Sequence, residues 1–198
     1  MKKLAVFGSD FGSNFEAIVE YFKDKDVEIT CVSDNKDSYI LQSADMLGIK
    51  HYFVPFEQNM DFIKEKSFDL IALGGYKHIL PSEIIHNIAV INSHASLLPA
   101  FKGNNANIQA YEAGVKVSGV TIYYVTKDSF EGKIIAQYPV FLEEDMNLND
   151  FTSALQYVEQ KIYPPAIESI LFDKYIDIQS VMTAKSGGCG GGCGGCGH

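Results

Sequence analysis

Leu4-Ala5-Val6-Phe7-Gly8-Ser9-Asp10-Phe11-Gly12-Ser13-Asn14 is the stretch whose reading decides the fold. Its four apolar residues read as a strand, and the glycines and small polar residues after them as a loop. Phe15, Ile18, Val19 and Phe22 recur at helical spacing, so residues 13–22 are expected to be a helix. The same alternation continues along the chain. Strands are expected over 27–32, 52–54, 70–73 and 89–92, and helices over 39–47, 62–66 and 105–112. Gly48 and Gly114 follow two of those helices as C-terminal stops. Residues 119–125 and 134–141 are strand-like with no helix between them, which predicts an antiparallel extension. A last helix is expected from 148 to about 172. The pattern predicts an α/β fold: a Rossmann-like, mostly parallel twisted sheet with helices on both faces and an antiparallel C-terminal extension. One domain is expected over 1–178, followed by a Gly/Cys-rich flexible tail over 179–198.

Composition narrows the function. The 198 residues are 46% hydrophobic and 21% charged, which suits one globular domain. No apolar run is long enough to span a bilayer, and the apolar stretch after Lys2-Lys3 is too short for a secretory signal, so a cytoplasmic protein is expected. The net charge of −9 and the absence of a basic stripe argue against a nucleic-acid partner. The chain is expected to act as a monomer or homodimer on small-molecule substrates, which the resemblance given below implies. All 16 basic side chains are lysines. Without arginine, any bound anion is held by lysine, hydroxyls, backbone amides or a helix N-terminus. Cys31 lies in an apolar strand and is expected to be buried and inert.

Two loops carry candidate chemistry. Asn92 and His94 lie two residues apart at the end of a strand, so they face one side and can converge on one reacting atom. An amide donor beside a proton-carrying imidazole suits a carbonyl that becomes an oxyanion. A packed histidine and a loop-capping asparagine would give the same Asn-x-His pattern. In the first loop, Gly12, Ser13 and Asn14 open a helix whose free amides and dipole favour a phosphate. The dinucleotide fingerprint is incomplete there, because its third glycine is missing, and plain N-cap chemistry is the alternative.

Longer motifs add a resemblance. Gly12-Ser13-Asn14, Leu73-Gly74-Gly75-Tyr76-Lys77-His78-Ile79-Leu80, and Asn92-x-His94-x-Ser96-Leu97-Leu98-Pro99 occur in that order. Gly119-Val120-Thr121-Ile122, Gly132-x-Ile134-Ile135-Ala136-Gln137 and Glu159-x-x-Ile162-Tyr163-Pro164 follow. This series resembles the folate-dependent formyltransferase family over about residues 2–173, and Gly-Ser-Asn with Glu-x-x-Ile-Tyr-Pro resembles its glycinamide ribonucleotide branch. The resemblance implies the formyltransferase fold and 10-formyltetrahydrofolate as co-substrate. It implies that the amine of glycinamide ribonucleotide attacks the formyl carbon, with Asn92 and His94 serving the oxyanion and the proton. Gly12, Ser13 and Asn14 would take the substrate phosphate, and Glu159 the ribose hydroxyls. Tyr76, Lys77, His78, Ile79 and Leu80, with Thr126, Asp128 and Phe130, would wall the folate pocket.

Four positions depart from the family pattern. Phe130 stands where the family has an aspartate that handles water and the proton; Glu131 or Asp128 are the carboxylates near enough in sequence to substitute. Tyr123 replaces a histidine, His78 an arginine and Ala95 a proline. The departures surround the chemistry and the folate side, while the phosphate loop and Glu159 are kept. They leave two alternatives beside the purine enzyme: a relative that binds a phosphorylated or folate-like ligand with little turnover, and a formyltransferase for another amine such as an amino sugar. Separately, Cys189, Cys193, Cys196 and His198 supply three thiols and an imidazole that suit a tail-bound tetrahedral metal. A redox-sensitive unstructured tail or an expression scar explains the same residues.

Overall fold

The computed structural model describes residues 1–127 and 130–183. Seven strands form one sheet: β1 (Lys2–Phe7), β2 (Val27–Ser33), β3 (Lys50–Phe53), β4 (Leu70–Leu73), β5 (Ala89–His94), β6 (Val117–Tyr124) and β7 (Ile134–Phe141). Their order is β3-β2-β1-β4-β5-β6-β7. The first five run parallel, and β6 and β7 add the expected antiparallel extension.

Side-chain alternation along each strand feeds two cores. Leu4 and Val6 of β1 pack into one layer with Phe15, Ile18 and Phe22 of helix α1 (Ser13–Phe22). That layer also holds α2 (Tyr39–Met46), α5 (Ala106–Glu112) and the 24-residue α6 (Leu148–Leu171). Ala5 and Phe7 point the other way, toward Ile63 of α3 (Asn59–Lys66) and Ile84 of α4 (Ser82–Asn87). Helices therefore cover both faces. Cys31 is fully buried, and burial pushes its thiol up to about 12, so it is inert as expected.

The structure adjusts four boundaries. The third strand is Lys50–Phe53, two residues earlier than expected. Helix α4, between β4 and β5, has no counterpart in the expected elements; it has six residues and buries only Ile84. His94 is still strand, so the Asn92–His94 pair belongs to a rigid element. A final helix, α7 (Ile178–Thr183), crosses the boundary placed at 178 and packs Ile178 and Met182 on the main core. Among the described residues no helix is long and apolar enough to cross a membrane.

Candidate active site

Strand order reverses at β1, which lies between β2 and β4; open α/β sheets bind ligands at such a crevice, beyond the strands' carboxyl ends. A cleft of about 640 Å³ opens there. Its floor is knitted by backbone: Gly8 N–H donates to Val32 O at 3.0 Å and Gly74 N–H to Phe7 O at 2.8 Å. A Cβ on Gly8 would lie 2.7 Å from the tip of the Ile40 side chain and 3.0 Å from the Gly74 carbonyl, so the two loops cross closely here.

One half of the cleft is built by α1 and α6. Gly12 caps α1, and the first amides of a helix have no intrahelical acceptor. Glu159 of α6 accepts from Asn14 Nδ2 at 2.7 Å and from the Ser93 hydroxyl. Burial raises the Glu159 pKa, and those two hydrogen bonds oppose the rise without cancelling it. Tyr163 explains why α6 delivers Glu159 here. It lies one helical turn further on, fully buried, with its hydroxyl within bonding distance of the Leu73 carbonyl (2.9 Å) and the Ile91 carbonyl (3.1 Å). The helix is thereby fixed to the end of β4 and the middle of β5. Asn14 Oδ1 faces this half, buried and without a partner, an acceptor in want of a donor.

Asn92 and His94 occupy the centre. His94 is 8% exposed, and burial lowers its pKa against the opposing pull of a hydrogen bond. That bond runs from Nε2 to the Phe101 carbonyl at 2.8 Å. A carbonyl only accepts, so Nε2 carries the proton and the neutral ring leaves Nδ1 as a base. The loop that presents Phe101 is held by Thr121 and Gln137. Thr121 Oγ1 donates to Ser96 O at 2.7 Å and accepts from Leu98 N at 3.0 Å and from Gln137 Nε2 at 2.9 Å. Gln137 Nε2 also reaches Leu98 O at 3.0 Å.

Phe130 closes the cleft beside the imidazole. Its ring centroid lies 4.8 Å from that of His94 and 6.3 Å from that of Tyr123. Its φ of 65° is left-handed, a region that short polar residues tolerate and bulky ones rarely adopt. Gly132 shapes the same loop: a Cβ there would fall 1.5 Å from the Tyr124 carbonyl. Glu131 turns outward and pairs with Lys102 at 2.9 Å, which lowers the Glu131 pKa. It does not replace the missing carboxylate.

The loop after β4 forms the opposite wall. Tyr76 sets its ring edge-on to Phe7 at 5.4 Å, and its hydroxyl accepts from Asn59 Nδ2 at 2.6 Å. His78 stacks on Phe56 at 4.6 Å and bonds Asp34 Oδ2 through Nε2 at 2.8 Å. Lys77 N donates to Ser9 Oγ at 3.0 Å, while its ammonium pairs with Asp10.

A family model described as formyl transferase matches residues 2–167. The chain belongs to the formyl transferase family. A relative from Bacillus subtilis named phosphoribosylglycinamide formyltransferase is 36% identical, over 86% of this chain and 95% of its own length. Two solved structures of proteins so named are close in shape. That from Anaplasma phagocytophilum is 32% identical, with a TM-score of 0.81 over 87% of each chain. That from Streptococcus pneumoniae is 32% identical, with a TM-score of 0.79 over 86% of this chain and 99% of the other.

In this formyl transferase the cleft gathers Ser13, Asn14, Tyr76, Lys77, His78, Ile79, Leu80, Asn92, His94, Phe130 and Glu159. Gly12 sits beneath it as the helix cap. Thr126 is on the wall of a neighbouring hollow with Lys127 and Glu131 instead. Asp128, Cys189, Cys193, Cys196 and His198 lie outside the described residues. Among the described residues no cluster of metal-ligating side chains occurs. Sequence reasoning missed one wall, Gly103-Asn104-Asn105-Ala106-Asn107. The signal was there: a glycine and an asparagine open a helix, and they take φ of 98° and 60°.

Proposed function

We propose that this protein transfers the formyl group of 10-formyltetrahydrofolate to the amino group of glycinamide ribonucleotide, a step of purine biosynthesis. The observation that carries the reading is the placement of Asn92 and His94 on one face of a buried strand, between an anion-receptive helix start and an aromatic loop. The names of the relatives point to the same reaction.

The volume of the cleft lies within the roughly 300–1,000 Å³ usual for small-molecule sites. The nucleotide phosphate rests on the amides of Gly12, Ser13 and Asn14. The ribose hydroxyls donate to Glu159, and the unpartnered Asn14 Oδ1 takes a further donor there. The folate lies along the loop of Tyr76, Lys77, His78, Ile79 and Leu80.

In the reaction the amine nitrogen bonds to the formyl carbon, and the carbonyl oxygen becomes an oxyanion. Asn92 donates an amide N–H to that oxygen; loss of one such donor costs roughly 3 kcal/mol, about a hundredfold in kcat. His94, kept neutral by burial, accepts the proton that the amine sheds and delivers it to N10 as the carbon–N10 bond breaks. One formyl group and one proton change places, and His94 ends as it began.

The test is purified protein with glycinamide ribonucleotide and 10-formyltetrahydrofolate, with deformylation of the folate followed by absorbance. Turnover that His94→Ala abolishes supports the reading. The ring of Phe130 against His94 favours a second one, a ligand-binding relative without turnover. Calorimetric binding of both reactants with no deformylation would select it.

A further inference from the structure

Tyr123 stands directly opposite Asn92 in the antiparallel pair of β5 and β6. Residues so paired share a face of the sheet, with Cβ atoms roughly 5 Å apart. Both line the cleft, and Tyr123 is 3% exposed. Burial raises the Tyr123 phenol, and hydrogen bonding from the Asn92 side chain opposes that rise. The other end of the Asn92 amide is also occupied, because Oδ1 accepts from Ser93 N at 2.9 Å. That bond opposes a flip of the amide and leaves Nδ2 as its free donor end. Its two N–H bonds remain, one for the phenol across the strand pair and the other for the cleft.

We propose that Tyr123 is a positioning residue: its phenol oxygen fixes the rotation of the Asn92 amide so that one N–H always points to the developing oxyanion. The idea rests on the formyl transfer described above. The Asn92 N–H polarises the phenol and the phenol restrains the amide, so the two act as a unit.

The experiment compares wild type, Tyr123→Phe, Asn92→Ala and the double variant in steady-state formyl transfer, with thermal unfolding as a check of the fold. Tyr123→Phe should lower kcat about tenfold and leave KM for both substrates within about twofold, because the hydrogen bond orders a group that acts in the transition state. In the Asn92→Ala background the same change should cost less than about twofold, since nothing remains to be oriented. A purely structural tyrosine would give the same loss in both backgrounds, and that result overturns the proposal, as does full kcat in Tyr123→Phe. Should Tyr123→Phe not fold, Tyr123→His, whose ring nitrogen can accept from Asn92, replaces it. That variant should stay within about threefold of wild type, and a tenfold loss would count against the proposal. If the wild-type protein shows no turnover, the formyl-transfer reading fails instead, and the two failures are distinct.

Discussion

Phe130→Asp puts a carboxylate beside the imidazole. The phenyl ring it removes lies 4.8 Å from the His94 ring, an aromatic contact worth about 0.5–1.5 kcal/mol. Against that loss stands the backbone. At φ 65° an ordinary side chain carries a strain of about 1–2 kcal/mol, and aspartate is among the residues that bear it best. The two effects are similar in size and opposite in sign, so the variant should fold with little change in thermal midpoint. The kinetics should change more. A carboxylate within about 4–6 Å of an imidazole favours its protonated form, so the lowered His94 pKa should climb back. The base form of His94 is lost below its pKa, so the acid limb of kcat/KM, below about 6.5 in the wild type, should move to higher pH. General acid–base assistance is worth about 10²–10⁴-fold, so kcat at pH 8 should rise at least about tenfold. Stopped-flow or steady-state deformylation over pH 5–9 reads both effects. Unchanged kcat with an unmoved acid limb, in a protein that keeps its thermal midpoint, would refute the argument that a carboxylate at this position completes the site.

The remaining expectations concern charge and support. Glu159→Gln removes a carboxyl whose pKa burial has raised; such a group loses stability for the fold as pH rises above about 4.5, so the variant should melt higher than wild type at pH 8. The same change should raise KM for the ribonucleotide roughly 10–100-fold, the range for hydrogen bonds to a charged group, and a KM that does not move would remove Glu159 from the ribose site. Thr121→Val strands the Leu98 N–H and the Ser96 carbonyl, costing about 1–3 kcal/mol and lowering the melting temperature by about 2–4 °C per kcal/mol in calorimetry. Lys77→Ala leaves Asp10 unpaired at the mouth of an arginine-free cleft; KM for the phosphorylated substrate should rise up to about fivefold at low salt and converge with wild type in high salt.

Much of this was legible in the chain, for a physical reason. A parallel strand buried on both faces leaves a continuous apolar run, and 70–73 is read at its true limits. Helix α4 escaped because six residues with one buried side chain carry no period. The site was legible as residues and not as geometry. Asn92 and His94 declare themselves by spacing, but the pairing of Asn92 with Tyr123 depends on the register of two strands in the folded sheet. Similarly, Phe130 and Glu131 are neighbours whose sequence does not say which faces the imidazole; the left-handed turn at 130 decides it and sends Glu131 to Lys102.

The support of His94 also has a consequence for the order of synthesis. The strand bearing Asn92 and His94 emerges from the ribosome before the side chains that hold the adjoining loop and before Glu159. Phe101 fixes the imidazole only when Thr121 and Gln137 hold its loop, and Glu159 arrives only with the helix that Tyr163 fastens to the sheet. A nascent chain that has completed the parallel half therefore owns the switch point between β1 and β4 and no working centre. Competence comes in the last fifth of the folded chain, and truncation before residue 163 should leave a sheet without chemistry.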